Sequence, residues 1–323
     1  MRLPRLKASQ DQSAVYHCIS RVVGGQFLLD DLGMEQLARL LLKLAAFCGI
    51  ELITYCMMGN HFHLLIRVPV RQELSDTELL QRLEDFYGKR GTLTALAREG
   101  IESRDGIDAV LRQSLLERMG DVSAFMKEFK QRFSRWYNRQ SGRFGTLWAE
   151  RFKSVLVEDT PGAVRMVAAY IDLNPVRAGL VQDPKDYRFC GYAKALAGNE
   201  VLRKGLMSCL KPGEWSEASA EYRRSLFVTA ESSRRSDKVA LDREKILAEL
   251  KRGGELSLGQ MLRLRVRHLT DGVVLGSRAF VNEVFVQHRE KFGSRRKDGA
   301  RRIRGFPLPD IRVLRDLQVR AVG

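Results

Sequence analysis

Several things are scarce in this chain, and each scarcity excludes something. The five cysteines, at 18, 48, 56, 190 and 209, form no Cys-x-x-Cys pair, which argues against a zinc knuckle or a disulfide framework and leaves them as reduced core residues. No run of about 18 uncharged apolar residues occurs, since Arg39 and Lys43 interrupt the richest one, and Met1 to Lys7 holds no hydrophobic signal core. A soluble, cytoplasmic chain with no membrane partner is expected. Acid is in deficit as well: 39 Asp and Glu against 55 Lys and Arg give a net charge of +16 and a pI near 9.9. That excess makes counterion release from a phosphate backbone a major binding term, although charge alone does not separate DNA from RNA or from an acidic protein. Histidine numbers only five in 323 residues, so two of them within three positions carry weight.

Those two lie in Met57-Met58-Gly59-Asn60-His61-Phe62-His63-Leu64-Leu65-Ile66-Arg67, which reads as a buried strand. A strand turns successive side chains to opposite faces, so His61 and His63 project together about 7 Å apart while Phe62 points into the core. Two neutral imidazoles on one rigid face can hold a divalent metal; a solvated or hydrogen-bonded pair on a half-exposed strand is the alternative. A second segment, Arg165 to Gly179, reads as a helix, with Thr160 and Pro161 opening it and Val164, Val167, Ala168 and Ile171 as its apolar stripe. Tyr170 and Asn174, four apart, stack on one helix face with Cβ atoms about 6 Å from each other. Pro175 disfavours the α conformation at Asn174, which places it at the helix end or in a kink. A tyrosine nucleophile and an amide ligand could then face one metal; otherwise Tyr170 is a hydrogen-bonded core residue and Asn174 simply closes the helix.

Together these segments resemble the HUH single-tyrosine transposases, most closely the REP-associated tyrosine transposase branch. The resemblance rests on Tyr16-His17 with Arg21, on Gly59-Asn60-His61-Phe62-His63, and on Gly145-Thr146-Leu147-Trp148 leading to Arg151-Phe152-Lys153. It continues through Tyr170-Ile171-Asp172-Leu173-Asn174-Pro175-Val176-Arg177-Ala178-Gly179-Leu180 and Asp186-Tyr187-Arg188-Phe189, covering roughly residues 13 to 195 in the family's order. It implies a metal-assisted endonuclease and strand transferase acting on single-stranded or hairpin DNA such as repeat elements, in a bacterial cytoplasm near the nucleoid. It assigns His61 and His63 as ligands and Tyr170 as nucleophile. In insertion-sequence relatives the position four after the tyrosine is often Gln, whereas here it is Asn174, one methylene shorter.

The chemistry agrees with that assignment. With a pKa near 10, only about one tyrosine in a thousand is phenolate at neutral pH, and a phosphodiester repels anions, so activation is needed. A divalent ion on a non-bridging oxygen would neutralise charge and orient the phosphorus for attack by Tyr170, leaving a 3′-hydroxyl and a 5′-phosphotyrosine. Mixed imidazole and amide ligation suits Mn²⁺ and tolerates Mg²⁺. The other function class is a domesticated DNA-binding regulator that no longer cuts. A water-using metallonuclease is a weaker third, for want of an obvious general base.

Elements follow in the order strand 13–24, helix 34–47, strands 50–58 and 61–68, helix 121–140, strand 152–158, then the Tyr170 helix. That βαββαβα order fits an α+β fold, an antiparallel sheet with helices on one face, and the resemblance implies the ferredoxin-like HUH core. Between 70 and 119, Leu79, Leu80, Leu83 and Phe86, then Val110, Leu111, Leu115 and Leu116, suggest two inserted helices covering apolar surface. On helix 121–140 the spacing of Phe125, Phe129, Phe133 and Trp136 is that of a core stripe, with base stacking as the alternative. Candidate phosphate contacts are Lys127, Lys130, Arg135, Arg143, Arg151 and Lys153, with Arg21 and Arg177 from the segments that carry the resemblance. Residues 1–230 are read as the catalytic domain and 231–323 as a second, basic and mainly helical domain with 22 Lys and Arg against 12 Asp and Glu. In it, helical patterns at 240–252, 257–267 and 277–291 around glycine turns, followed by Arg295, Arg296, Lys297, Arg301 and Arg302, look like a helix-turn-helix type of DNA-binding module. The chain is expected to act as a monomer or homodimer.

Overall fold

The computed structural model describes residues 6–8, 11–70, 73–210, 213–231, 272–302, 310–315 and 317. Apolar, β-branched runs form strands β1 (Ala14–Arg21), β2 (Glu51–Met58), β3 (His61–Val68) and β4 (Lys153–Val157). Helix α1 (Asp31–Cys48) links β1 to β2; Asp30 caps its start by accepting from the Gly33 N–H at 2.7 Å, and Gly49, at φ 66°, supplies the left-handed residue that ends it. Helices α2 (Asp76–Tyr87), α3 (Thr92–Glu102), α4 (Ala109–Leu116) and α5 (Val122–Ser141) separate β3 from β4. After β4 come α6 (Pro161–Asp172), α7 (Asn174–Arg177), α8 (Gly191–Leu196), α9 (Glu200–Met207) and α10 (Trp215–Glu231). The last described stretch adds β5 (Val274–Gly276), α11 (Arg278–Gln287), β6 (Arg301–Arg302) and β7 (Arg312–Leu314).

The sheet runs β2-β3-β1-β4-β5-β7-β6. Its first four strands pair antiparallel in the ferredoxin-like order that the βαββαβα reading expects, with α1, α5 and α6 as the core helices. One expectation is corrected: helices cover both faces, not one. Phe62 meets Phe129 of α5 on one side, ring centroids 5.4 Å apart, while on the other Thr54 donates to Asp172 of α6 at 2.8 Å. The reason lies in β2 and β3, whose apolar runs are buried almost throughout and so need cover on both sides.

The insertion contains three helices rather than two. It packs on the phenylalanine side, where Phe86 and Tyr87 of α2 meet Phe47 of α1 at 5.1 and 6.0 Å and Arg118 stacks over the Phe47 ring at 4.2 Å. The aromatic stripe of α5 is core, with Phe125, Phe129 and Phe133 fully buried. The Asp186–Phe189 motif seals the outer edge of β2: the Met57 N–H donates to the Phe189 carbonyl at 3.0 Å and the Tyr187 hydroxyl to the Met57 carbonyl at 2.7 Å. Gly205 lets α9 rest on the same strand, since a Cβ there would lie 2.1 Å from the Leu52 carbonyl oxygen.

In the last region, the helix expected at 277–291 is α11 followed by a 3₁₀ turn, but the glycine that precedes it, Gly276, lies in strand β5 and not in one of the expected glycine turns. Val274 and Leu275 pair in parallel with Leu156 and Val157 of β4, and Ser277 caps α11 while its N–H and hydroxyl donate to Glu158 at 2.7 and 2.8 Å. The run Val273-Val274-Leu275 has the composition of a buried strand, which outweighs the glycine after it. The segments 240–252 and 257–267 lie outside the described residues. Among the described residues no helix is long and apolar enough to cross a membrane.

A buried carboxyl ties α6 to its surroundings. Asp172 has no exposed surface and accepts from Tyr222 of α10 at 2.5 Å, from Thr54 of β2 at 2.8 Å and from the Tyr192 N–H of α8 at 3.3 Å. Burial raises its pKa to about 7, against the opposing pull of those hydrogen bonds. The folded state therefore holds this proton more tightly than the unfolded chain. The stabilisation is full below about pH 4 and is lost as pH rises through about 7, a change of up to about 4 kcal/mol. We expect Asp172→Asn, which keeps the shape and removes the ionisation, to flatten this fall in urea unfolding measured at pH 5, 6.5 and 8. Curves that stay parallel for the two proteins would show that Asp172 does not titrate in this range.

Candidate active site

The β1–β3 register builds the site. Ile19 pairs with His63 and Arg21 with His61, so His17, Ile19 and Arg21 share a face with His61 and His63. The Gly59-Asn60 turn closes the β2–β3 hairpin immediately before His61. His63 and His17 are buried and His61 is half-buried. The His61 and His63 rings are 5.1 Å apart, as are those of His17 and His63. Tyr170 reaches in from α6, its ring centroid 5.8 Å from both His17 and His63. The two segments singled out in the sequence thus meet across the sheet face.

Hydrogen bonds orient the imidazoles. The Asn60 amide is fixed by donating Nδ2 to the Gly25 carbonyl at 3.1 Å, which turns Oδ1 to His61 Nδ1 at 2.6 Å. His61 must then carry its proton on Nδ1, leaving the Nε2 lone pair available. His63 Nδ1 lies 2.9 Å from His17 Nε2, and when His63 is the donor its own Nε2 is likewise left with a lone pair. Burial, followed by Arg21, lowers the pKa of His61 to about 4; burial, followed by the charges of His17 and His61, holds that of His63 well below the ordinary imidazole value. Both are neutral at pH 7, the state a metal requires.

Asn174 uses its amide nitrogen at the helix end. Its Nδ2 donates back to the carbonyls of Tyr170 and Ile171 at 3.3 and 3.1 Å, in the kink that Pro175 imposes between α6 and α7. Among the described residues no three His, Cys, Asp or Glu are arranged as a metal site. The donor chemistry fits a two-imidazole site, with further positions left to water or phosphate oxygens. His17 enters as the partner of His63, a role the sequence reading did not give it. The signal was present in the alternation of β1, which places His17 and Arg21 on one face.

The candidate phosphate contacts divide by burial. Arg21, Lys127, Arg135, Arg151, Lys153, Arg295, Lys297, Arg301 and Arg302 are exposed. Lys153 faces Glu150 at 3.7 Å. Lys130 is corrected to a structural role: it is buried, donates to the Glu150 carbonyl at 2.7 Å and lies near Trp148. Arg296 is corrected likewise, its guanidinium donating to the Asp298, Gly299 and Arg315 carbonyls. Arg143 is half-buried, with Nη1 lacking a hydrogen-bond partner. Arg177 lies against the ring of Tyr170, 4.0 Å from its centroid, and donates to the Tyr170 carbonyl at 2.6 Å. Its Nη1 is buried without a partner, so a cation with an unused donor sits beside the tyrosine. Arg301 and Arg302, on the far edge strand, lie five strands from β3, roughly 24 Å across the sheet.

No protein-family model matches this chain, and no curated protein matches it. Among solved structures it is similar to a REP-associated tyrosine transposase bound to a REP hairpin, at 15% identity over 67% of this chain and 93% of that one, with a TM-score of 0.41.

The Asn60 contact generates a test. Asn60→Ala removes the acceptor that holds His61 in its Nδ1–H form and, if His61 and His63 hold a metal, weakens Mn²⁺ binding by about 10- to 100-fold. Titration of free Mn²⁺ by electron paramagnetic resonance reads this directly, and Asn60→Asp, which keeps an acceptor, should recover much of it. Unchanged affinity in the alanine variant would reduce Asn60 to a turn residue.

Proposed function

We propose that this chain is a metal-dependent single-stranded DNA endonuclease and strand transferase of the HUH single-tyrosine kind, acting on hairpin or repeat elements through a 5′-phosphotyrosine. One observation carries this reading: Tyr170 and His63, more than a hundred residues apart in sequence, meet at 5.8 Å on the sheet face that also holds His61 and the cation Arg177. A divalent ion, Mg²⁺ or Mn²⁺, held by His61 and His63 would supply Lewis-acid neutralisation of the scissile phosphate. Tyr170 is the nucleophile. As its Oη bonds to phosphorus the phenolic proton is lost, the bond to the 3′ oxygen breaks, and that oxygen leaves with a proton. Arg177, with Nη1 unused, offers a donor and a positive charge to the phosphoryl oxygens. Because the phosphotyrosine conserves the bond energy, another 3′-hydroxyl can reverse the step, which joins strands without ATP.

The second reading, a DNA-binding protein that does not cut, is favoured by two features. Tyr170 is only 3% exposed, and the Asn174 amide is turned to its own helix. Cleavage therefore requires a local movement that uncovers Tyr170.

Tyr170→Phe removes one oxygen, so folding and DNA affinity should persist. The wild type, incubated with labelled hairpin oligonucleotides and Mn²⁺, should yield a denaturant-resistant adduct whose nucleotide maps by mass spectrometry to the Tyr170 peptide. The Phe variant should yield none. DNA binding without any adduct in the wild type would leave the non-cleaving reading in place; an adduct on another tyrosine would move the nucleophile.

A further inference from the structure

Two phenyl rings stand in solvent, one at the hairpin turn that leads into His61 and one on a loop hydrogen-bonded to its neighbour, and neither loop is loose. Phe27 is 81% exposed and Phe144 96% exposed. The Phe27 loop is tied on both sides of the ring. Val22 N–H donates to the Asn60 carbonyl at 2.8 Å, Asn60 Nδ2 to the Gly25 carbonyl at 3.1 Å, Leu29 N–H to the Gly59 carbonyl at 2.9 Å, and the Tyr137 hydroxyl to the Leu28 carbonyl at 2.6 Å. The ring edge rests on the hairpin turn itself, so close that a Cβ on Gly59 would come within 3.0 Å of Phe27 Cδ1. Phe144 tops a tight loop in which Gly142 and Gly145 both take positive φ and Asn138 Nδ2 donates to the Gly145 carbonyl at 2.9 Å. The two loops join each other through Val23 N–H and the Leu147 carbonyl at 2.9 Å.

A pinned loop that presents a phenyl ring to water forgoes the burial that most phenylalanines gain. The segments that carry these rings are basic in sequence: exposed Arg21 ends β1 before the Phe27 loop, and half-buried Arg143 directly precedes Phe144. An exposed aromatic face on a basic segment suits an unpaired base and its phosphate better than the aliphatic surface of a protein partner.

Resting on the nuclease reading above, we infer that Phe27 and Phe144 are stacking platforms for unpaired bases, guiding a single strand past the Gly59-Asn60 turn to His61. Selectivity for unpaired DNA would then reside in these rings, since bases within a duplex cannot offer their faces.

The test uses the full chain and a mixed-sequence single-stranded oligonucleotide carrying 2-aminopurine. Wild-type binding should quench its fluorescence through stacking. Phe27→Ala and Phe144→Ala should each weaken single-strand affinity by roughly 5- to 150-fold and reduce the quench, with binding of the matching duplex unchanged. Phe27→Trp should retain both affinity and quench. Since both rings are exposed, thermal unfolding should stay at the wild-type value. Wild-type affinity in both alanine variants overturns the stacking role while leaving the nuclease reading intact, as would a change confined to oligomeric state, which would make the rings a contact between copies. Failure of the wild type to bind any single strand overturns both together.

Discussion

The pairing of β1 with β3 is the constraint on which the site depends. Side chains alternate along both strands, so the register that sets Ile19 opposite His63 also brings His17, Arg21, His61 and His63 to one face and sends Phe62 to the other. A slip of one residue would exchange the two sets, burying imidazoles against the rings of Phe129 and Trp148 and bringing Phe62 under Tyr170. Apolar burial on the phenylalanine side thus fixes the chemistry on the histidine side. The hairpin turn adds to this, because Asn60 anchors the neighbouring loop and orients His61 with the same amide.

Much of this was legible in the residues themselves. The period-two placement of His61 and His63 and the Thr160-Pro161 helix start are local signals, and local signals survive into the fold. What could not be read was anything decided by a distant partner. The buried runs of β2 and β3 announced strands, yet a helix layer on their second face follows only once α6 is seen docked through Asp172. His17 looked like one residue of a strand until the sheet placed it beside His63. Asn174 was ambiguous between ligand and helix end, and the kink at Pro175 settled where its amide nitrogen points.

The basic residues show the same limit in another form. Lys127 and Lys130 are three apart on α5, yet one is exposed and the other is buried against Trp148 with its ammonium on a backbone carbonyl. Arg296 sits between exposed Arg295 and Lys297 but is consumed by three carbonyls. A net charge is a sum over both kinds, and only the exposed part can release counterions from a polyanion. Arg177 belongs to neither group, since it is half-buried yet keeps a donor, Nη1, buried and unspent beside the phenol ring.

The parallel pairing of β4 with β5 has a bearing on how the chain is made. β4 ends at Val157, and the strand that covers its outer edge begins at Val274, so more than a hundred residues must leave the ribosome before that row of backbone groups finds its partner. During that interval a nascent chain carries an open strand edge. Translation itself therefore sets a window in which neighbouring nascent chains could pair wrongly through β4, and codon pace or chaperone occupancy over that stretch would govern the yield of correctly closed sheet.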